Sequence, residues 1–434
     1  MNTLFSISQK IRHTEHEGMQ VFSMHVSDDI MTVVGSFPAG RMYDTERAGI
    51  VASMTARMLD QGTQTHTKEE LHDTLEALGA SVSFGSDSAR GRFFVTGMTH
   101  DIRAILAIVG EMIQEPRFDP SDLGIMKKRM VAEIMTEQDN PHSVAMSVFL
   151  RTLFPEGHPH HIPTVKHLIA LVENVSVDDI REFHTMYYGR GDVAIVGVGK
   201  TEHAVFADIC RDVFGGLPLI PVDTVLISSP VTPSSRKIVH EKMEGKASSS
   251  IVIGGALPFA YYHDDYDAFM CGMHILGGGI FANRLNQEVR EKRGLTYHIR
   301  SFVAGYEGLI PGYWSVMAMF PPRLLHEGLH VVLAEIEGIV EKGITTRELA
   351  EKKEELVGRF ITMFDNRQAI ASLVLGTYEQ KLPTEYWDTY LSRVKALTIL
   401  RVNGALRTYL HPKTLVIASA GEITKKKKTT SRKK

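Results

Sequence analysis

Cysteine is scarce in this 434-residue chain, in which Cys210 and Cys271 are the only two and lie far apart in sequence. A disulfide framework is not indicated, and a reducing compartment fits this usage better than an oxidising one. Long apolar runs are also missing, since none approaches the roughly 18 residues of a membrane span. The N-terminus has neither the apolar length nor the charge order of a secretory signal. We therefore expect a cytoplasmic protein that does not cross a membrane.

A large excess of one charge is absent too, because 48 basic and 51 acidic residues leave a formal net charge of −3. The basic residues are unevenly spread, and residues 425–434 alone contain seven of them. Such a charged tail, poor in apolar residues, is predicted to be disordered and solvated, with contact to nucleic acid or acidic lipid as the alternative. The remaining chain is more acidic, which argues against a nucleic-acid-binding core.

The length exceeds the roughly 250 to 300 residues at which a single hydrophobic core stops growing, so two domains or more are expected. Residues 215–236 contain four prolines among Ser and Thr residues and divide the chain almost in half. We predict an N-terminal lobe over 1–215, a linker over 216–236, a C-terminal lobe over 237–424 and the disordered tail over 425–434.

The two halves repeat one order of elements. Each begins with two apolar strands, near 19–25 and 30–37 in the first half and near 237–242 and 249–256 in the second. Each continues with a helix that ends at glycine, a second helix that runs into a strand, another strand and a long amphipathic helix. A repeat of about 200 residues indicates duplication rather than a solenoid. The predicted fold class is α+β, with two homologous lobes, each a largely antiparallel sheet with helices packed on one face.

The most informative stretch is 275–297, which reads ILGGGIFANRLNQEVREKRGLTY. Its pattern predicts a glycine turn, a charged helix over 282–292 and a strand over 295–302. Arg290 and Tyr297, a permanent cation and a phenol seven residues apart, then meet across the helix-to-strand junction. Such a pair can clamp a carbonyl or a peptide backbone. The alternative for Arg290 is a solvated helix face whose charged residues pair with one another. The alternative for Tyr297 is a half-buried aromatic residue of a strand.

The glycine turn comprises Gly277, Gly278 and Gly279. A phosphate-binding loop is not indicated, because no strand precedes these glycines and no Lys-Ser or Lys-Thr pair follows them. Close chain approach and positive φ angles between two helices explain them better.

The stretch with Arg290 and Tyr297 closely resembles the C-terminal signature of the insulinase/pitrilysin family of zinc peptidases. The resemblance extends over most of the chain, through PRFDPSDL at 116–123, GHPHHIPT at 157–164 and the segment 175–199. It implies that the Arg and the Tyr help to bind substrate. It also implies that the glycine turn is a flexible, substrate-adaptive connection between helices.

In that family the first helix of the N-terminal lobe carries H-x-x-E-H, whose two His bind zinc and whose Glu acts as general base. Anchored on Gly62, the corresponding positions here are Ser53, Ala56 and Arg57. None can do this chemistry, because Ser53 is a poor ligand, Ala56 has no proton acceptor and Arg57 repels a cation. Glu133 matches the family's third ligand as a vestige. We expect it to form an ion pair with Arg57, and we expect no metal here.

A literal H-E-x-x-H occurs at His326, Glu327 and His330, and Glu348 lies 18 residues beyond its second His. Two His at i and i+4 beside a Glu would build a zinc peptidase site directly. The alternative is the start of an amphipathic outer helix, with Glu348 in a capping box with Thr345.

A second histidine cluster, His158, His160 and His161, stands among prolines and looks like a set of metal ligands. Because the prolines restrict the backbone, we expect a loop of solvated histidines instead.

Heterodimeric members of the family, among them bacterial proteins similar to the mitochondrial processing peptidase, divide the site between two chains. One chain carries the zinc motif and the other contributes the Arg/Tyr pair. The resemblance therefore implies a non-catalytic, substrate-binding subunit, inactive alone, that acts on peptides or unfolded polypeptides through Arg290 and Tyr297. Zinc would belong to a homologous partner subunit, and this chain would hold no cofactor. A structural or assembly subunit and a stand-alone zinc protease using His326 and His330 stay open as alternatives.

Overall fold

The computed structural model describes residues 6–258, 263–279, 283–305 and 310–422, apart from positions 223, 224, 226 and 228. The basic tail over 425–434 lies outside these ranges. None of the described helices is long and apolar enough to cross a membrane.

The described residues of the first half form strands β1 (Ile11–His16), β2 (Met19–His25), β3 (Ile30–Phe37), β4 (Ser81–Ser86), β5 (Gly91–Met98) and β6 (Val193–Gly199). The helices are α1 (Ile50–Met58), α2 (Lys68–Ala77), α3 (Ile102–Gln114), α4 (Pro120–Gln138), α5 (Pro141–Leu153), α6 (Val165–Asn174), α7 (Val177–Tyr187) and α8 (His203–Phe214). The strands join in one sheet in the order β1-β2-β6-β3-β5-β4.

The described residues of the second half form strands β7 (Lys237–Lys242), β8 (Ser249–Ala256), β9 (Ile299–Ala304), β10 (Tyr313–Phe320) and β11 (Val416–Gly421). The α-helices are α9 (Tyr266–Leu276), α10 (Leu325–Lys342), α11 (Thr346–Met363), α12 (Arg367–Glu379), α13 (Tyr390–Ala396) and α14 (Ile399–Tyr409), and a π-helix covers Asn286–Glu291. This sheet runs in the order β7-β11-β8-β10-β9.

The two sheets share one topology, which confirms the predicted α+β fold with two homologous lobes. Without its edge strand β1, the first sheet runs β2-β6-β3-β5-β4, the same order as the second. In each lobe the first of these strands pairs in parallel with the last strand of the lobe. The other pairings found among the described strands are antiparallel. A parallel pair needs a long crossover, which the helices of each lobe supply.

Each sheet packs the helices of its own lobe against one face, as predicted. In the first lobe, Val33 of β3 packs with Met54 of α1 in a core that also buries Cys210. In the second lobe, Ile253 of β8 belongs to the core that buries Cys271. Both cysteines are free thiols.

The opposite face of each sheet is covered by a helix from the other lobe, which the repeat pattern did not reveal. Helix α12 of the second half lies on β3 and β6, where Ile370 packs with Val34. Helix α5 of the first half lies on β8 and β11, where Phe149 packs with Val252. Because both of their faces are covered, β6 and β11 are buried along their whole length and have apolar or small residues at every position.

A buried ion pair fixes the end of α12 on the first sheet. Arg92 of β5 donates two hydrogen bonds of 2.8 Å to the carboxylate of Glu379, whose side chain is only 3% exposed. Beside it, the hydroxyl of Tyr378 donates to Asp192 at 2.6 Å. The junction between the lobes therefore combines an apolar helix face with a charged, hydrogen-bonded end.

Local sequence signals explain where several helices begin. Thr67 and Glu70 form a reciprocal capping box at the start of α2. Pro120 and Pro141 are the first residues of α4 and α5, each after a residue whose side chain caps the helix. These starts depend on neighbouring residues alone and are readable from the sequence.

The second helix of the C-terminal half differs from its prediction over 282–292. The structure forms the shorter π-helix over Asn286–Glu291, and position 282 lies outside the described residues. Gly294, with a φ of +62°, ends it. The chain then joins the sheet at β9, later than the predicted start at Leu295, because the hydroxyl of Thr296 is held by the carbonyl of Met319.

Between the end of α8 at Phe214 and the start of β7 at Lys237, the described residues form no helix or strand. The limits of the lobes and of the linker over 216–236 stay a prediction.

We predict that Glu379→Gln lowers the free energy of unfolding by about 2 kcal/mol, because it removes one of the two carboxylates that pair with the largely buried Arg92 guanidinium and leaves only Asp87, at 2.6 Å. Urea unfolding measures this loss. The matched control is Asp212→Asn, which breaks the half-exposed Arg103–Asp212 pair and should cost less than about 1 kcal/mol. Equal losses in the two variants would contradict a special role for the junction.

Candidate functional site

Helix α1, which carries the predicted zinc-motif positions Ser53, Ala56 and Arg57, is anchored at its start by Asp44. The Asp44 carboxylate accepts hydrogen bonds from the backbone N–H groups of Val51 at 2.8 Å and Ala52 at 3.3 Å, and it pairs with Arg47 at 2.9 Å. Burial raises the pKa of Asp44 despite these partners. A carboxylate at a helix N-terminus also satisfies the helix dipole. The position of α1 is therefore set by buried groups around its first turn.

The structure brings Arg57 and Glu133 together, as expected from the sequence. Nη1 of Arg57 lies 2.9 Å from Oε2 of Glu133, and Arg129 on the same helix as Glu133 approaches its other oxygen at 3.7 Å. Ala56 is buried in the lobe core with 1% exposure, while Ser53 is half-buried. Two cations thus neutralise the only carboxylate of the former site, and these residues do not fit a zinc ion.

This ion pair lines a cavity of about 650 Å³ between the lobes. The wall opposite is built by Ser143 and Ser147 of α5 and by Glu241 and Lys242 of β7. Its size is within the usual range for ligand pockets, but most of its charged lining residues are exposed or already paired.

The second candidate residue, Arg290, is presented by the π-helix. Leu285 and Val289 of this segment are fully buried. The carbonyl of Arg290 accepts a hydrogen bond from Gly294 at 3.0 Å. Single π-helical turns frequently occur at functional sites. Buried neighbours and this backbone hydrogen bond therefore anchor the backbone around Arg290, whose side chain is half-buried.

The Arg290 guanidinium lies over the Tyr297 ring, with Cζ 4.9 Å from the ring centroid. Within the described ranges Arg290 has no ion-pair partner, whereas its neighbour Glu288 pairs with Lys292. The helix face is thus self-paired through Glu288 and Lys292, as expected, but among the described residues Arg290 takes no part in that pairing. Its charge is available to a further group.

Tyr297 is 85% exposed, the most exposed large aromatic side chain among the described residues. Its neighbour Thr296 is buried, and its hydroxyl donates to the carbonyls of Met319 and, at 3.1 Å, His298. Tyr297 lies at a bend between the π-helix and β9, where the backbone N–H of His298 donates to the Thr296 hydroxyl at 3.2 Å. Tyr297 is thus not the half-buried strand residue of the alternative interpretation.

The structure does not unite the two halves of the predicted site. Among the described residues, no hydrogen bond or ion pair links Arg290 or Tyr297 to Arg57 or Glu133, and neither Arg290 nor Tyr297 lines the cavity at the ion pair. The exposed Tyr297 and the half-buried Arg290 therefore lie outside the cavity at Arg57 and Glu133.

Sequence reasoning missed two histidines near the pair. His142 at the start of α5 and His298 beside Tyr297 lie close enough for their charges to interact, and burial with the charge of His298 lowers the pKa of His142. These histidines come from different lobes, so no sequence spacing could have paired them. They place the Arg/Tyr pair beside the junction of the two lobes.

The glycine turn behaves as its composition indicates. Gly279 has a φ of +84°, and the carbonyl of Gly277 accepts a hydrogen bond from Ser301 at 3.0 Å. A Cβ at Gly277 would lie 2.6 Å from Leu285, and one at Gly278 would lie 2.9 Å from His274. Close approach and positive φ therefore both require glycine here.

The literal H-E-x-x-H lies at the start of α10, where His326, Glu327 and His330 are all exposed. The carboxylate of Glu348 has other partners. Arg284 donates to its two oxygens at 2.6 and 2.8 Å, and Glu348 forms the expected capping box with Thr345. Within the described ranges, no group of three or more His, Cys, Asp or Glu side chains could hold a metal ion.

The histidine loop is buried, and the prediction of solvated side chains was wrong. His158 and His160 are 4% and 5% exposed, and His158 stacks on Phe154 at 4.3 Å between ring centroids. Nδ1 of His158 accepts a hydrogen bond from the backbone of His160, whose Nε2 lies 2.9 Å from the carbonyl of Gly305 in the other lobe. Packing of the second lobe over the loop removes it from water.

Comparison with known proteins agrees with this geometry. The family model described as "Insulinase (Peptidase family M16)" matches residues 21–159, and the one described as "Peptidase M16 inactive domain" matches residues 174–356. The chain belongs to peptidase family M16, the insulinase family. Among similar proteins of the family are uncharacterized zinc proteases of Streptomyces coelicolor, 21% identical over 73% of this chain and 69% of the relative, and of Bacillus subtilis, 22% identical over 85% and 87%.

Solved structures show the same fold. A peptidase M16 inactive domain from Pseudomonas fluorescens superimposes with a TM-score of 0.88 and 24% identity, covering 96% of this chain and 99% of that chain. A protease from Helicobacter pylori superimposes with a TM-score of 0.86 and 16% identity over 95% and 99%. The two-lobed M16 fold is therefore present over nearly the whole chain.

We predict that the triple variant Ser53→His, Ala56→Glu, Arg57→His binds about one zinc ion per chain, because it restores two His at i and i+4 and frees Glu133. Metal analysis after dialysis measures the stoichiometry. Adding Glu133→Gln should weaken binding by about tenfold or more. Stoichiometric zinc in the unmodified chain that is lost on Glu133→Gln alone would contradict the assignment.

We predict that stability falls as the pH drops from about 6.5 to about 4, in part because of His158. Burial, with the charges of His160 and His161, lowers the pKa of His158 from 6.5 to about 4. The unfolded chain therefore takes up the proton first, so the stabilisation is complete above pH 6.5 and is lost toward pH 4. Unfolding free energies of the native protein and His158→Phe should differ in slope over this window. Equal pH slopes of the unfolding free energy in the two proteins would contradict this role of His158.

Proposed function

We propose that this chain is the non-catalytic, substrate-binding subunit of a cytoplasmic, heterodimeric zinc metallopeptidase. A homologous subunit with an intact H-x-x-E-H would carry the zinc, and the substrates would be peptides or unfolded polypeptides. The chain alone would be inactive, without a cofactor and without nucleic-acid or membrane partners.

The supporting observation is the contrast between the two half-sites. Arg57 occupies a ligand position and neutralises Glu133 at 2.9 Å, while Arg290 has no ion-pair partner among the described residues and lies on the exposed ring of Tyr297. A chain that cannot hold the metal but presents a substrate clamp outward is suited to completing a site in another chain.

Arg290 would hold the substrate. Its planar guanidinium can donate two parallel hydrogen bonds to a backbone carbonyl or a carboxylate of the peptide. The rigid π-helix fixes its backbone, and the ring of Tyr297 supports the guanidinium from one side. Less conformational freedom is then lost when the peptide binds.

Tyr297 would act on the reacting carbonyl. Its exposed phenol can donate a hydrogen bond to the oxygen that becomes negatively charged when the peptide bond is attacked. A donor placed before the reaction stabilises this charge without reorganisation of water. The phenol would therefore contribute more to the transition state than to the bound peptide.

We predict that Tyr297→Phe lowers the kcat of the reconstituted heterodimer by about a hundredfold, the usual cost of removing one oxyanion donor. Arg290→Gln should mainly raise KM, because it removes substrate binding. Arg293→Gln, an exposed residue just beyond the same π-helix, is the matched control and should change neither constant. Unchanged kinetics for Tyr297→Phe would remove it from the site.

Mixing this chain with a zinc-motif homologue distinguishes a substrate-binding subunit from a structural or assembly subunit. Peptidase activity that appears only after a zinc-motif homologue is combined with this chain supports the proposal, and its loss in the double variant of Arg290 and Tyr297 assigns the pair. A stable complex whose peptidase activity is the same with the native chain and with the double variant would instead indicate a structural subunit.

A further inference from the structure

The second lobe contains a cavity of about 620 Å³ formed by α9, α11, α12, α13 and the turn that includes Trp387. Its lining includes the rings of Tyr266, Phe360, Trp387 and Tyr390. Phe360 joins them, with ring centroids 4.5 Å from Tyr390 and 6.0 Å from Trp387. The indole of Trp387 is fixed, since its Nε1 donates to Thr377 at 2.8 Å. Both volume and lining are typical of small-molecule sites.

Two polar atoms of the lining residues are buried without a hydrogen-bond partner among the described residues, Nδ1 of His274 and Oε1 of Gln380. Nδ1 lies against Gly278, where an added Cβ would come within 3.1 Å of it. Nε2 is therefore the ring atom that can reach a ligand. Buried polar atoms in proteins are normally paired, so the unpaired Oε1 of Gln380 is the lining atom most in need of a hydrogen-bond donor, whereas Nδ1 of His274 faces Gly278.

The charge at this cavity is positive. Arg359 lines it and is 59% exposed, and its contact with Glu355 is long, at 3.9 Å. Glu355 is held instead by Lys352 at 2.5 Å. Asp267, an acidic lining residue, is neutralised by Arg393 at 2.7 Å. The guanidinium of Arg359 is thus able to bind an anion.

The environment of His274 agrees with this charge balance. Burial, together with the charges of Arg359 and Lys352, lowers the pKa of His274 to about 4. The imidazole is therefore neutral at pH 7 and can hydrogen-bond through Nε2 without adding charge.

We propose that this cavity binds an aromatic carboxylate, either the C-terminal aromatic residue of a peptide or a free aromatic amino acid. The ring lies against Phe360, Trp387 and Tyr390, and the carboxylate pairs with Arg359. The amide or amine of the ligand reaches the unpaired oxygen of Gln380. This site is remote in sequence from Arg290 and Tyr297 and does not depend on the role proposed for them.

The fluorescence of Trp387 shows whether a ligand occupies the cavity. The chain has two tryptophans, and Trp314 is 1% exposed and does not line this cavity. Titration of the full chain with N-acetyl-L-phenylalanine should give a saturable change in fluorescence that is absent in Trp387→Phe. N-acetyl-L-phenylalaninamide and N-acetyl-L-alanine should bind at least about tenfold more weakly, because they lack the charge and the ring respectively. Free L-phenylalanine, compared with the acetylated form, distinguishes a free amino acid from a peptide end.

Two variants test the assignment further. Arg359→Gln should weaken the carboxylate by about tenfold and leave the amide unchanged. Arg347→Gln, on the same helix and 87% exposed, is the matched control and should bind as the native chain does. Gly376→Leu should abolish binding by filling the cavity, because a Cβ there meets only Gln380 at 3.9 Å.

The proposal is overturned by any of three results in folded protein. The first is no saturation with N-acetyl-L-phenylalanine below about 10 mM, a concentration at which a specific site of this size should be filled. The second is equal affinity for the carboxylate and the amide. The third is native affinity in both Arg359→Gln and Gly376→Leu.

Discussion

Each lobe leaves one face of its sheet uncovered by its own helices, and a helix from the other lobe closes it. Helix α12 covers the first sheet and α5 covers the second, so neither sheet is fully buried without the other half of the chain. The Arg92–Glu379 pair fixes one of these helices at its end. Because α5 also lines the cavity at Arg57 and begins beside His298, this exchange positions both candidate half-sites.

The two predicted half-sites differ in how their charges are paired. On α1, Arg57 forms an ion pair with Glu133. On the π-helix, Arg290 has no ion-pair partner among the described residues, while the neighbouring Glu288 pairs with Lys292. A carboxylate already paired with two arginines has little free energy to gain from a metal. A guanidinium that has no counter-charge within the described ranges and lies on an exposed ring can still gain free energy by binding an anion or a carbonyl.

Much of the fold was readable from local patterns, because alternation, capping residues and glycine stops act within a few residues. The duplicated order of elements and the capping box at Thr345 follow from residue spacing, and the ion pair of Arg57 with Glu133 was expected from the family resemblance. The π-helix was not readable, since the charged pattern over 282–292 is equally compatible with an α-helix, and the hydrogen bond from Thr296 to Met319 that precedes β9 joins distant segments. The burial of His158 was missed for the same reason, because a polar, proline-flanked loop carries no signal of the lobe that packs on it.

The sequence by itself determined the two-lobed α+β architecture and the M16 family. The architecture follows from periodicity along the chain, and the family follows from the motifs at 116–123, 157–164 and 275–297. Only the tertiary structure decided that Tyr297 is exposed, that Arg290 is unpaired within the described ranges and that α5 and α12 exchange between lobes. Exposure and pairing are properties of surfaces assembled from distant segments, and no local pattern encodes which of those segments meet.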